Sequence, residues 1–306
     1  MHQTPRRTAA PLAGAVLVLG LLAGCGDDSA DRDSSSGGEP TSDSAPQPTA
    51  SATDETSAGP SSSAPAQEGV VPAYYVGTTP VGDRLYREFT RTTGVDLLVA
   101  AAAAVTQGDP VDPDYRTLWP GGRFVSVTRT AGSIVVEVPD ESWLRAGDLS
   151  RAEARLAVQQ LVHTLQGTAG KRLPLQVQHD GSPAATLLGV EVGAGLTAEP
   201  QLDVLAFVNV TEPAEGTAVG TSFTAEGRAS SFEGTVVWEL RDEDGTVVLN
   251  GFAQADGWVD KLYPWETEVS TTGLSPGTYM FVARTDDPSD GEGAGPTEDT
   301  KRVTVG

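Results

Sequence analysis

The chain has 306 residues, with 42 Asp and Glu against 20 Lys and Arg, a formal net charge of −22. That balance argues against nucleic acid and against an anionic lipid surface as partners held by charge. One Cys excludes a disulfide framework and a Cys-built metal centre, and three His leave little for an imidazole-ligated one. The length fits about two domains. The charge is uneven: residues 26–69 carry net −8, 71–197 net −2 and 198–306 net −14, as expected of separate modules with different surfaces.

Arg6 and Arg7 precede an apolar stretch over 8–24 centred on Val16–Leu19. It is short for a bilayer span of ~20 residues and suits the apolar region of an export signal. Thr8-Ala9 after the arginine pair fits the general export route better than a twin-arginine one. The stretch ends in Leu22-Ala23-Gly24-Cys25, which resembles a bacterial lipobox. That resemblance implies cleavage after residue 24 and diacylation of Cys25, hence a lipid anchor on the extracytoplasmic face of the cell membrane, with the acyl chains as the membrane contact. An ordinary signal peptide with an incidental Cys is the alternative. Residues 25–70 read as an acidic Ser/Pro/Thr tether: from Ala23 to Gly69 there is no large apolar side chain, so nothing offsets the entropy of ordering.

Residues 71–197 read as an α+β module. Ala73–Val76 and Arg84–Phe89 are predicted strands. Thr93 and Asp96 form a cap pair for a helix whose stripe is Leu98, Ala101, Ala102 and Val105, stopped by Gly108 and Pro110. Arg123–Val127 and Ile134–Val138 are predicted to pair as a hairpin across Ala131-Gly132. Ser150 and Glu153 form a capping box, with Leu149 stapled to Ala154, for a second helix. Ala154, Val158, Leu161 and Leu165 make its apolar face and Gly167 is its expected stop. Leu175–Gln178 is a last strand before the turn at His179–Gly181. Ala157-Val158-Gln159-Gln160-Leu161-Val162-His163-Thr164-Leu165 resembles the A-x-x-Q-L-V-x-T-L helix of GerMN domains, found in GerM-type sporulation and spore germination proteins. The resemblance runs over about residues 71–190 and implies a scaffold or assembly role, since such domains are related in fold to ring-building modules.

Residues 198–306 read as an all-β sandwich. Val236, Trp238 and Leu240 alternate with Thr235, Val237 and Glu239; Tyr279, Phe281 and Ala283 alternate, as do Val303 and Val305; Asp244-Gly245 signals a hairpin. Trp238 is expected in the core, and Leu274–Tyr279 has the pattern of a tyrosine corner. Val210–Pro213, Gly227–Ala229 and Phe232–Val236 resemble the immunoglobulin-like domain that accompanies GerM in bacterial spore germination, over about residues 202–305.

For chemistry the sequence offers little. No G-x-S-x-G elbow is present, and the reading assigns no catalytic residue, no metal and no cofactor. Asp286, Asp287, Asp290 and Glu292 are close enough for a calcium loop, but a solvated sandwich loop is preferred. Trp258, Tyr263 and Trp265 could form a sugar platform, with core or edge packing preferred. On the second helix, Leu156, Gln159 and His163 lie opposite the apolar face and are the candidate interface for self-association or a protein partner. A cell-wall glycan is the alternative partner.

Overall fold

The structure is a computed structural model that describes residues 67–94, 96–286 and 293–306. The predicted signal, Cys25 and nearly all of the predicted tether lie outside the described residues. All of the described residues fall in one compact unit.

The chain enters on β1 (Gln67–Thr79) and returns on β2 (Gly82–Gly94), an unbroken antiparallel pair in register from Gln67↔Gly94 to Thr79↔Gly82. Both strands are much longer than the two predicted segments, and β1 takes in the last four residues assigned to the tether. α1 (Leu97–Gln107) follows, and Asp96 alone caps it, its Oδ1 accepting from the Leu98 N–H at 2.7 Å. β3 (Ser126–Arg129) and β4 (Ile134–Glu137) pair as a hairpin, the first strand starting three residues later than expected. α2 (Arg151–Ala169) then crosses over to β5 (Leu175–His179), which pairs parallel to β4. β6 (Ser182–Pro183) completes a sheet of order β3-β4-β5-β6, and β7 (Thr186–Leu187) with β8 (Val190–Glu191) makes a small hairpin.

The capping box at Ser150 and Glu153 is complete, each side chain accepting from the other residue's backbone N–H. Gly167 does not end α2. The helix runs on to Ala169, and Gly170 closes it in the left-handed region at φ 63°. A Cβ on Gly167 would come within 2.8 Å of the Pro72 ring, so this glycine lets α2 approach β1. The core of this half gathers Leu161, Val162 and Leu165 of α2, Ile134, Val136, Leu175 and Val177 of the sheet, and Leu98 and Val105 of α1. Trp119, Phe124 and Trp143 cluster beside it, and the Trp119 indole donates to Ala157 O at 3.0 Å.

After the short α3 (Gln201–Val204) come β9 (Val208–Glu212), β10 (Thr217–Val219), β11 (Ser222–Ala229), β12 (Thr235–Arg241), β13 (Val247–Gln254), β14 (Tyr263–Ser270), β15 (Gly277–Thr285) and β16 (Glu298–Val305). They form two facing sheets, β10-β16-β15-β12-β13 and β14-β11-β9. Val236, Trp238, Leu240, Phe281 and Val303 fill the space between them with Trp265 and Val269 from the opposite sheet. A Cβ on Gly251 would meet the Trp238 indole at 2.5 Å, so the glycine in β13 makes room for that ring. The tyrosine corner is present, with the Tyr279 hydroxyl donating to Ser275 O at 2.8 Å.

Two smaller apolar clusters span both halves. Val76, Leu85 and Leu156 pack with Val204, Leu205 and Leu262, and Ala73, Tyr75, Tyr86 and Tyr115 pack with Ala206. Near residue 197 the chain runs from Leu196, buried in the first core, through Thr197 and Glu199, whose backbone is bonded to Gln159, to Val204 and Leu205 in these shared contacts.

Candidate functional site

The Cβ alternation of β16 that turns Val303 and Val305 inward also turns Asp299 and Lys301 inward. There they meet the 112–116 segment, held in place by β2: the Glu88 carboxylate accepts from the backbone N–H of Val111 at 3.1 Å and of Asp112 at 2.8 Å. The Lys301 ammonium spends its three donors on Asp112 Oδ2 (2.5 Å), Tyr115 Oη (2.7 Å) and Asp299 Oδ1 (3.1 Å). Tyr115 donates to Asp299 Oδ1 at 2.5 Å, while Asp299 Oδ2 accepts from Asn209 Nδ2 (3.0 Å) and the Val210 N–H (2.6 Å). Asp112 Oδ1 accepts from the Asp114 N–H at 2.9 Å. At the rim, Thr300 donates to Asp114 at 2.9 Å and Tyr86 to Glu298 O at 3.0 Å, and the Tyr86 and Tyr115 rings stack at 4.8 Å.

The cluster unites β2 and the 112–116 loop of the first half with β9 and β16 of the second, and Lys301, Asp112 and Asp299 are each almost fully buried. Burial works against the Lys301 charge, but the Asp299 and Asp112 carboxylates outweigh it and hold the ammonium above the ordinary lysine value. Burial pushes the Asp112 carboxyl up, opposed by Lys301. It also drives the Tyr115 phenol well up, with Asp299 and Asp112 acting the same way. Tyr115 is thus a neutral hydroxyl that accepts from the ammonium and donates to a carboxylate. A lysine with a raised pKa stays an ammonium, with no lone pair to accept a proton and every N–H engaged, so the arrangement suits a clamp between the two halves better than acid–base chemistry.

The predicted interface on α2 is not a free surface. Leu156, Gln159 and His163 are 9%, 4% and 7% exposed, covered by the same chain. Leu156 packs on Val76, Leu85 and Leu205. The Gln159 amide donates to Thr197 O at 3.1 Å and accepts from the Glu199 N–H at 2.9 Å. His163 lies 5.3 Å from the Tyr74 ring, and burial, with a smaller push from Arg172, lowers its pKa to about 4. Gln159 and His163 are thus buried rather than outward-facing, and Gln159 is bonded to loop backbone. One sequence signal for this was available: from Leu156 to Gly170 no Asp, Glu, Lys or Arg occurs, and an exposed helix face of that length would normally carry charge.

Of the weaker candidates, Trp265 is 3% exposed and belongs to the sandwich core, so the three-ring platform does not form. Trp258 instead meets Phe232 edge to face, 5.3 Å apart and crossed at 70°. Of the acidic loop, Asp287, Asp290 and Glu292 lie outside the described residues, and the Asp286 N–H donates to Ser231 Oγ at 2.7 Å. Among the described residues no group of His, Cys, Asp and Glu is placed to hold a metal ion, and no helix is long and apolar enough to cross a membrane. The sequence reading passed over Lys301, Asp299 and Asp112. The strand phase set by Val303 and Val305 was the signal that could have found the first two.

A second feature is exposed. β13 bonds to β12 on one side and forms the rim of the five-stranded sheet. Its Phe252 is 71% exposed.

Residues 207–292 match the family described as the immunoglobulin-like domain of bacterial spore germination, a span from the start of the sandwich through β15. No curated protein matches the chain. Among solved structures it is similar to the crystal structure of CopC from Methylosinus trichosporium OB3b, with 21% identity over 32% of this chain and 92% of that one, at a TM-score of 0.22. A superposition that loose says nothing more about this chain.

Proposed function

We propose that this protein is a non-enzymatic scaffold or assembly protein of the cell envelope, related to sporulation and germination. It is tethered by lipid at Cys25 and presents a GerMN-like module and an immunoglobulin-like module as one rigid piece. The observation that carries the reading is the buried Lys301 cluster. A fully bonded ionic lock between two layered halves fixes their mutual orientation, which an assembly part needs and a flexibly strung pair of binding modules does not. The match of residues 207–292 to a spore-germination domain supports the process, and the Leu22–Cys25 lipobox pattern supports the location. His163 is walled off from solvent and Lys301 is held as a buried ammonium without a lone pair, so neither offers a base to a substrate.

The alternative is a binding lipoprotein for wall glycan or for a partner protein. Its protein version has the stronger footing, because the exposed rings Phe232 and Trp258 are crossed and present no flat stacking surface for a sugar. The test is native isolation of the full-length protein from its envelope in mild detergent, with and without muramidase digestion. The scaffold reading expects co-migration with a protein at fixed stoichiometry that survives digestion. Loss of the assembly on digestion, or migration as a free monomer, would overturn it.

A further inference from the structure

We infer that the free edge of β13 accepts an extended, positively charged segment of a partner protein by strand addition. The inference deepens the scaffold reading and rests on it only in taking the partner to be a protein.

The edge is open and in phase. Among the described residues β13 is hydrogen-bonded to β12 alone, and β14 meets its free side only past the strand's end, where the Asp256 N–H donates to Pro264 O at 3.0 Å. The Ala255 N–H donates to Gly234 O at 2.8 Å, and the register pairs Thr235 with Gln254 and Val237 with Phe252. In antiparallel pairing the hydrogen-bonded positions alternate. Ala253 and Gly251 therefore bond toward β12, and Asn250, Phe252 and Gln254 turn their N–H and C=O toward the free side.

The edge is also unprotected. Natural sheets blunt such rims with charge, proline or a covering segment, yet residues 246–255 contain no charged residue and no proline. Apolar groups line it instead. Phe252 projects from the strand into solvent, the Gln254 amide donates to Glu233 O at 2.6 Å, and Phe232, the residue before Glu233, meets Trp258 edge to face. Val259, next in sequence, is also exposed. An open backbone rim with exposed apolar side chains beside it is what strand addition uses.

Charge selects the occupant. Over residues 231–262 there are seven acids and two bases. Arg241 is bonded to Glu239, and Lys261 lies over the Tyr263 ring. Two copies of this edge would bring Asp242, Glu243 and Asp244 against like charges, which opposes self-pairing. A lysine- or arginine-bearing segment meets the same rim with attraction.

The test uses the full chain with two short synthetic peptides: one alternating lysine with valine and phenylalanine, the other with glutamate in place of lysine. Amide hydrogen exchange is read across the whole protein. The lysine peptide should slow exchange in 247–254 by at least about tenfold, less so in high salt, and the glutamate peptide should not. Asn250→Pro removes an N–H on the free side and keeps the pairing with β12; Phe252→Lys adds repulsion and removes the ring. Both should abolish the protection while leaving exchange in α2 and β15 unchanged. The inference is overturned by no protection, by protection elsewhere, by equal protection from both peptides, or by protection that persists in both variants. Concentration-dependent protection of 247–254 without peptide would make the occupant a second copy and would overturn it too. None of these outcomes touches the envelope isolation that tests the scaffold reading.

Discussion

The Lys301 cluster and the β13 rim invert the same rule in opposite directions. At the cluster, charges are buried; at the rim, apolar side chains are exposed and charge is missing from the strand itself. The buried charges are matched donor for acceptor within the chain, so their inversion is complete as the molecule stands. The rim has an open backbone and an exposed phenylalanine that none of the described residues covers. A departure from apolar-in, charged-out that closes on itself holds the fold together; one left open points outward to a partner. Both can be tested by seeing how far stability and association separate.

The largest effect should come at the cluster. Lys301→Ala leaves Asp112 and Asp299 buried without their cation and should lower stability by about 3–5 kcal/mol. Asp112→Ala should cost comparably, and the double variant much less than the sum, because the second deletion removes a charge already unpaired. Denaturant midpoints of the four proteins measure this, and additive losses would mean the groups act separately. Next is the ordinary core: Leu161 is fully buried on α2, and Leu161→Ala should cost roughly 2–5 kcal/mol by the same assay.

His163 gives a pH-dependent effect. Its folded pKa of about 4 lies below the unfolded value, so the neutral ring is favoured by folding. That stability is complete above about pH 6.5 and is lost as pH falls through 4, by up to about 3 kcal/mol. Unfolding free energies from pH 7 to pH 4 should show this slope, and His163→Phe should flatten it; an unchanged slope would place the titration elsewhere. Lys301 has the opposite sign. Its folded pKa is raised, so its contribution holds below the usual lysine range and fails only as pH rises through the folded value. The smallest stability effect belongs to the rim: Phe252→Ser should change stability by no more than about 0.5 kcal/mol, measured by the same unfolding curves. A large loss would mean the ring packs within the fold.

How much could be read beforehand depended on whether a residue's role was local. The α2 capping box, the Asp96 cap, the β3–β4 hairpin, the tyrosine corner and the core position of Trp238 were all legible, because each rests on spacing within a few residues. The length of β1 and β2 was not. Gly69, Pro72 and Gly77 look like breakers, and what holds them extended is packing on α1, α2 and the 112–116 segment. Gly167 looked like a helix stop because a glycine's need for room against Pro72, 95 positions earlier in this sequence, leaves no local mark. The second face of α2 was misread for the same reason: Gln159 and His163 are polar, and their partners Thr197, Glu199 and Tyr74 come from distant segments. Among the described residues the candidate site suffered most, since Lys301 and Asp112 are 189 positions apart and carry no signature of each other.

Joined by the Lys301 cluster and the shared apolar contacts, the two halves should behave as one body. This is tested most directly by equilibrium unfolding of the full chain with hydrogen exchange read separately in α2 and in β15. Both should lose protection in a single coincident transition, and Lys301→Ala should split it in two. Separate transitions in the unmodified protein, with α2 exposed while β15 stays protected, would contradict it.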